Sequence, residues 1–338
     1  MNLKPMRSKL IAALLLCVSL AGCASIKNSA TDKPAQTYNS ISGQVGTDGP
    51  IMAVKIDDTS LARPQIGLDN ADLVYIEQVE GGLTRLAAIF SSVIPERIGP
   101  VRSARISDID ILAQYGKVIF AYSGAQSLML PVIGSANLWD YGAQHSSPTI
   151  FTRDQTRPAP YNMILRGDLL LTKSVEDARE VAQSKSPGWS FGAAPAGGVS
   201  IDSVKVSWPA SKYEVTWSKS EKRWLLSNGG VADMAASGKQ LGATTFVIQS
   251  VSITNSIYRS KDGGYTPFSQ TIGSGTGYIL RDGRSFKANW SRPNAEAGTT
   301  WTLADGSEIK FAPGSIWVAL TDRMPEFSLA APASPVSK

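Results

Sequence analysis

The chain has 338 residues and a mass of 36.0 kDa, with 43% apolar and 18% charged residues and a mean hydropathy of −0.06. That balance can bury a core, which excludes wholesale disorder. Two cysteines and one histidine exclude a disulfide scaffold and a zinc site built mainly from Cys and His. The net charge of +5 and pI of about 9.1 suggest an anionic partner at first reading.

Residues 1–9 carry Lys4, Arg7 and Lys9 and no acid. Leu10 to Gly22 form an apolar run too short to span a bilayer, for which roughly 20 residues are needed. Charge followed by a short apolar stretch predicts a secretory signal over 1–22. It ends in Leu20-Ala21-Gly22-Cys23, which resembles the lipobox of bacterial lipoproteins. The resemblance implies cleavage before Cys23 and a lipid on its thiol. Several acyl chains would hold the protein on the extracytoplasmic face of the cell membrane. Without the signal, 30 basic residues face 28 acidic ones, a charge of +2. Residues 23–49 are polar and read as a flexible tether.

The first folded region is expected over 50–185. Ile51 to Ile56 is a strand. Asp72–Val79 and Leu83–Ser91 are two more, joined by Glu80, Gly81 and Gly82 as a hairpin turn. A three-residue loop places Glu77 opposite Arg85. Both lie in apolar runs, where an unpaired charge costs several kcal/mol, roughly. They are either a register-fixing ion pair or part of a polar site. After Gly99-Pro100, Ser103 could cap a helix with Ile106, Ile109 and Leu112 on one face. Arg102 and Arg105 near its start either bind an anion at the helix terminus or pair with Asp108, Asp110 or Glu80.

Lys117 to Tyr122 is a strand, turning at Ser123-Gly124 into a short helix, 125–130. That layout places ligand groups at strand ends, although no nucleotide fingerprint accompanies it. Polar, proline-rich loops add Arg153, Asp154, Arg157 and Asn162 to the candidate site. Ser174 opens a helix to about 183, and 186–198 reads as an interdomain linker.

The strings Arg63-Pro64-Gln65-Ile66-Gly67-Leu68, Glu80-Gly81-Gly82-Leu83-Thr84-Arg85 and Gly99-Pro100-Val101-Arg102-Ser103-Ala104-Arg105 resemble the YerB-type lipoproteins. These are bacterial cell-surface proteins with two successive domains and no settled function. The resemblance covers about 50–320 and implies a two-domain lipoprotein, without implying an activity. Where that family commonly reads Ala-Pro-His-Asn, this chain has Ala159-Pro160-Tyr161-Asn162. A mechanism needing the histidine fails here unless Tyr161 supplies the same hydrogen bond.

From 199 to 322 the chain alternates in short strands. Asp282-Gly283 and Asp305-Gly306 are hairpin signals, predicting an antiparallel sheet, sandwich or barrel. Six of the 8 tryptophans fall here. They either fill the core or stack on sugars. The tail, 323–338, is Ala-, Ser- and Pro-rich and is expected to be disordered. The fold class expected is α+β, an N-terminal α/β domain with a mixed sheet followed by a mainly antiparallel β domain.

His145 has no partner histidine, and Gly273-Ser274-Gly275-Thr276-Gly277 lacks the following helix of a nucleophile elbow. No metal and no cofactor are expected, and no basic run suggests nucleic acid. The leading function is an envelope lipoprotein with a binding or scaffold role. Its pocket would hold an anionic ligand with Arg85, Arg102, Arg105, Arg153, Arg157 and Asn162, oriented by Glu77, Glu80 and Asp154. One rival is an envelope hydrolase or transferase using Glu77 or Glu80 as acid or base. Another is a module that docks a partner protein.

Overall fold

The computed structural model describes residues 36–260 and 263–331. The expected signal and Cys23 lie outside them. Among the described residues, sixteen strands join one mixed sheet. Along it run, in order, 223–228, 212–218, 199–207, 284–292, 273–281, 245–250, 316–321, 73–78, 84–90, 52–57, 118–122 and 138–142.

The strand Ile316–Thr321 decides the architecture. It comes from the end of the chain, yet lies parallel to both Thr245–Ser250 and Leu73–Gln78. All six of its residues are buried. A strand covered on both faces must be apolar throughout, and Ile-Trp-Val-Ala-Leu-Thr meets that demand. The two expected domains are therefore joined through one sheet, and the molecule is mostly β. The N-terminal half has the mixed strand pairing expected, but as one end of that larger sheet, so the separate α/β domain anticipated is not found.

Each face of the sheet has its own core. Val54, Ile56, Val74, Ile76, Leu86 and Ala88 point to one. Ala53, Leu73, Tyr75, Ala87 and Ile89 point to the other, beneath the helix Ser107–Ala113. Alternation along each strand sends successive side chains to opposite cores. All six tryptophans of the second half are buried or half-buried, so the sugar-stacking alternative gives way to core filling.

Several boundaries differ from expectation. From Tyr38 the chain is not a tether: Tyr38 pairs with Val45, Ile41 is fully buried and Asn39 Oδ1 accepts from the backbone of Ile41 and Ser42. The 186–198 segment is no free linker. Trp189 is buried and stacks on Phe311 with centroids 5.0 Å apart. Glu326–Leu329, expected in the disordered tail, pairs with Val199–Ser207. The helix placed after Ser174 instead runs from Gly167 to Glu176, with Ser174 buried in its last turn. The helix placed at 125–130 is found at Leu130–Ser135. At 38–49 and 186–198 a buried apolar side chain, Ile41 or Trp189, outweighed the local polar composition.

Candidate functional site

The C-terminal ends of the parallel strands collect the charged residues. Met52–Asp57 and Leu73–Gln78 both pair antiparallel with Thr84–Phe90. Asp57, Arg85 and Glu77 consequently form one row across three strands, since Arg85 lies opposite both acids. Directly opposed residues in antiparallel strands share a face. The expected Glu77–Arg85 register is thus found, but the ion pair is not between them. Glu77 pairs with Lys55, which also donates to Asp108 at 2.7 Å.

The segment Gly99–Arg105 crosses these strand ends. Its backbone bonds to Lys55 and Asp57 on one side and to Ser123 and Gly124 on the other. It lays Arg102 against Asp57 (Nε to Oδ2, 2.6 Å) and Arg105 against Glu80 (Nε to Oε2, 2.8 Å). The helix begins only at Ser107 and Ser103 caps nothing, so the arginines do not form a helix-terminus anion site. The Ser103 carbonyl instead accepts from Arg85 Nη1 at 2.9 Å and from Arg105 Nη1 at 3.3 Å.

Arg85 is the unusual member. Among the described residues no carboxylate lies close enough to pair with it. Burial, then repulsion from Arg105 and Arg102, pushes its guanidinium down to about 9, still ionised at neutral pH. Glu80 differs: burial raises its carboxyl, but Arg105 and Thr266 outweigh that and hold it below the usual range. Thr266 Oγ1 donates to Glu80 Oε1 at 2.6 Å.

Glu80 and Arg105 stand on the wall of a cavity of about 650 Å³. The 126–130 turn and Arg259 line it too. Arg85 and Arg102 lie behind this wall and do not line it.

The five candidate arginines therefore do not make one pocket. Arg85, Arg102 and Arg105 converge. Arg153 and Arg157 belong to a second group. Arg153 donates to Asn162 Oδ1 at 2.7 Å, and Arg157 holds the carbonyls of Ala62 and Pro64 at 2.8 and 2.6 Å. Asp154 lies 3.6 Å from Arg157 and orients nothing in the first group. Tyr161 connects the groups, its ring centroid 5.5 Å from the Arg102 guanidinium carbon. Arg153 and Arg157 thus serve a side-chain amide oxygen and two carbonyls remote in sequence. Lys55, Asp57, Arg259 and Thr266 were not anticipated, and Asp108 was expected as a partner of the arginines, not of Lys55. Only Lys55 carried a legible signal, a lone charge inside an apolar run.

Family models match most of this fold, the N-terminal domain of a protein of unknown function, DUF3048, over residues 38–181 and its C-terminal domain over 204–318. The chain belongs to the DUF3048 family. The N-terminal match begins at 38, and both the Arg85–Arg105 cluster and the 153–162 loop fall inside it. "Putative lipoprotein YerB" of Bacillus subtilis is 22% identical over 285 residues, covering 82% of this chain and 83% of that protein. The crystal structure of Bacillus subtilis YerB matches with a TM-score of 0.73, over 87% of this chain and all of that one. At 22% identity this likeness carries the DUF3048 fold alone.

Proposed function

We propose that this DUF3048 protein is an extracytoplasmic lipoprotein, anchored through Cys23, that binds an anionic envelope ligand at the edge of its sheet. Arg105 and Arg259 on the cavity wall are the contacts, with Arg85 supplying positive charge from behind. The observation carrying this reading is Arg85, a half-buried cation with no carboxylate partner among the described residues, crowded by two more arginines. An anion nearby relieves that repulsion. With a charge near +2 after the signal is removed, attraction must come from this local cluster, not from the molecule's field.

Burial counts against the hydrolase or transferase reading. Glu77 has no solvent exposure and is paired with Lys55. Glu80 is held ionised by Arg105, which suits it poorly to donating a proton.

The test has two parts. Cys23→Ser should move the protein from the membrane fraction to the soluble one. Retention of a phosphate-rich envelope polymer fraction should fall at least about tenfold in Arg105→Ala and Arg259→Ala, and after the polymer is dephosphorylated. Equal retention by wild type and both variants would sink the binding reading.

A further inference from the structure

A second polar cluster lies where the loop after Asp57 meets the strands of the chain's second half. Arg63 reaches between Asp58 and Asp233, whose side chains have no solvent exposure. Its Nη2 donates to Asp58 Oδ1 at 2.8 Å and to the Tyr213 hydroxyl at 3.1 Å, and its Nε lies 3.0 Å from Asp233 Oδ1. The two acids thus occupy Nη2 and Nε. Nη1 is left over: it makes no hydrogen bond among the described residues and is not enclosed.

Arg63 lines two cavities, of about 480 and 420 Å³, and Ser60 and Asn228 also line both. These three residues therefore stand where the cavities adjoin. Their backbones serve the fold: the Ser60 carbonyl accepts from the Arg63 amide, and Asn228 pairs with Val231. The Ser60 hydroxyl and the Asn228 side-chain amide make no hydrogen bond among the described residues. Leu83 and Pro209 wall the first cavity, Val231 and Met234 the second. Apolar walls with a few convergent polar groups are the usual make-up of a ligand site.

The unused groups specify the chemistry they take. Arg63 Nη1 carries donors only and needs an acceptor, whereas the Asn228 amide both donates and accepts. Two carboxylates around one guanidinium leave one negative charge in excess when both acids are ionised. The Arg63 charge is thus already matched, and a ligand carboxylate would lose its water for little gain. A neutral carbonyl loses far less. A carbonyl beside an N–H is an amide. The walls are aliphatic, and Trp208 in the first cavity is 2% exposed and presents no ring on which a sugar could stack. A peptide backbone suits this arrangement, since a carbonyl held at Arg63 leaves side chains free to enter either cavity.

We infer that this double cavity binds an uncharged, extended peptide segment with aliphatic side chains, through a backbone carbonyl at Arg63 Nη1 and an amide N–H at Asn228. The site is separate from the Arg105 cavity and does not depend on what that cavity holds.

The test titrates N-acetyl-L-leucinamide into the full-length chain carrying ¹³C-methyl methionine. The Met234 resonance, assigned with Met234→Leu, reports on the second cavity. A saturable shift is expected at pH 7.5. Affinity should be at least about threefold weaker in Asn228→Ala, with N-acetyl-L-leucinate, which exchanges the terminal amide for a carboxylate, and with N-acetylglucosamine. It should be at least about tenfold weaker in Arg63→Gln. If Arg63→Gln fails to fold, which the methionine dispersion reports, Asn228→Ala and the wild-type comparisons decide. A non-saturable shift, equal or tighter binding of the carboxylate or the sugar, or unchanged affinity in Asn228→Ala overturns the inference.

Discussion

Lys55 and Glu77 form an ion pair across an intervening strand, and neither side chain is exposed to solvent. Lys55 lies opposite Ala87 on that strand, and Glu77 lies opposite Arg85. The lysine must pass over Ala87, whose single methyl leaves room. It continues to Asp108 on the helix above. Burial pushes the Lys55 amine down to about 8, with Asp108 opposing the fall.

Replacing Lys55 with Met should destabilise the fold by about 3–5 kcal/mol, because two enclosed carboxylates lose their cation. Urea unfolding should show a lower midpoint at unchanged m. The lowered folded value also fixes a sign. This site costs stability at neutral pH, and the cost is relieved as pH rises from about 8 toward the unfolded value of about 10.4. A loss below about 1 kcal/mol in Lys55→Met would mean that water reaches the pair.

Glu80→Gln should cost about 1–2 kcal/mol at pH 7 by weakening the bonds to Arg105. Glu80 is depressed in the folded state, so its contribution is present above the ordinary carboxylate range and lost as pH falls through the folded value. Thermal unfolding of wild type and variant should accordingly converge in acid, once the pH has fallen below the folded value. A gap that stays constant with pH would assign the cost to packing.

Asp233 titrates with the opposite sense. Its folded carboxyl, near 6, holds protons more tightly than the unfolded one. Stability therefore falls as pH rises from about 4 to about 6 and stays reduced above. Asp233→Asn should be more stable than wild type by about 2 kcal/mol at pH 8 and equal to it near pH 4. Melting curves across that range check both limits.

Trp189 ties three distant segments together. It stacks on Phe311, and its indole nitrogen donates to the Ile41 carbonyl at 3.2 Å. Trp189→Ala should cost about 3–5 kcal/mol. Cleavage by protease should rise first in residues 36–49, which lose their anchor. If that segment were an independent tether, cleavage there would already be fast in wild type.

Much of the local structure was legible. The Glu77–Arg85 register followed from apolar runs and a glycine turn. The Asp282-Gly283 turn sits where expected, both residues with positive φ (51° and 71°), joining Arg281 to Arg284. The charged site was half legible. Glu77, Glu80, Arg85, Arg102 and Arg105 do gather at one sheet edge, and Arg105 pairs with Glu80 as one expected alternative had it, while Glu77 and Arg102 take other partners. Glu77 faces Arg85 in the ladder and bonds to Lys55, because a long side chain can choose a diagonal neighbour that the register does not name.

Turns, strand periods and the polar–apolar rhythm are properties of neighbouring residues, so they can be read along the chain. Partners remote in sequence cannot be read that way. Nothing in Ile316–Thr321 says that it lies beside Leu73–Gln78, since any apolar strand of that length satisfies the same two cores. Nothing in the Arg153–Asn162 loop says that it joins Ala62 and Pro64 and leaves the Arg85 cluster alone. Those choices depend on which surfaces meet once the sheet has closed, and there burial makes each unpaired charge or uncovered face too costly to leave.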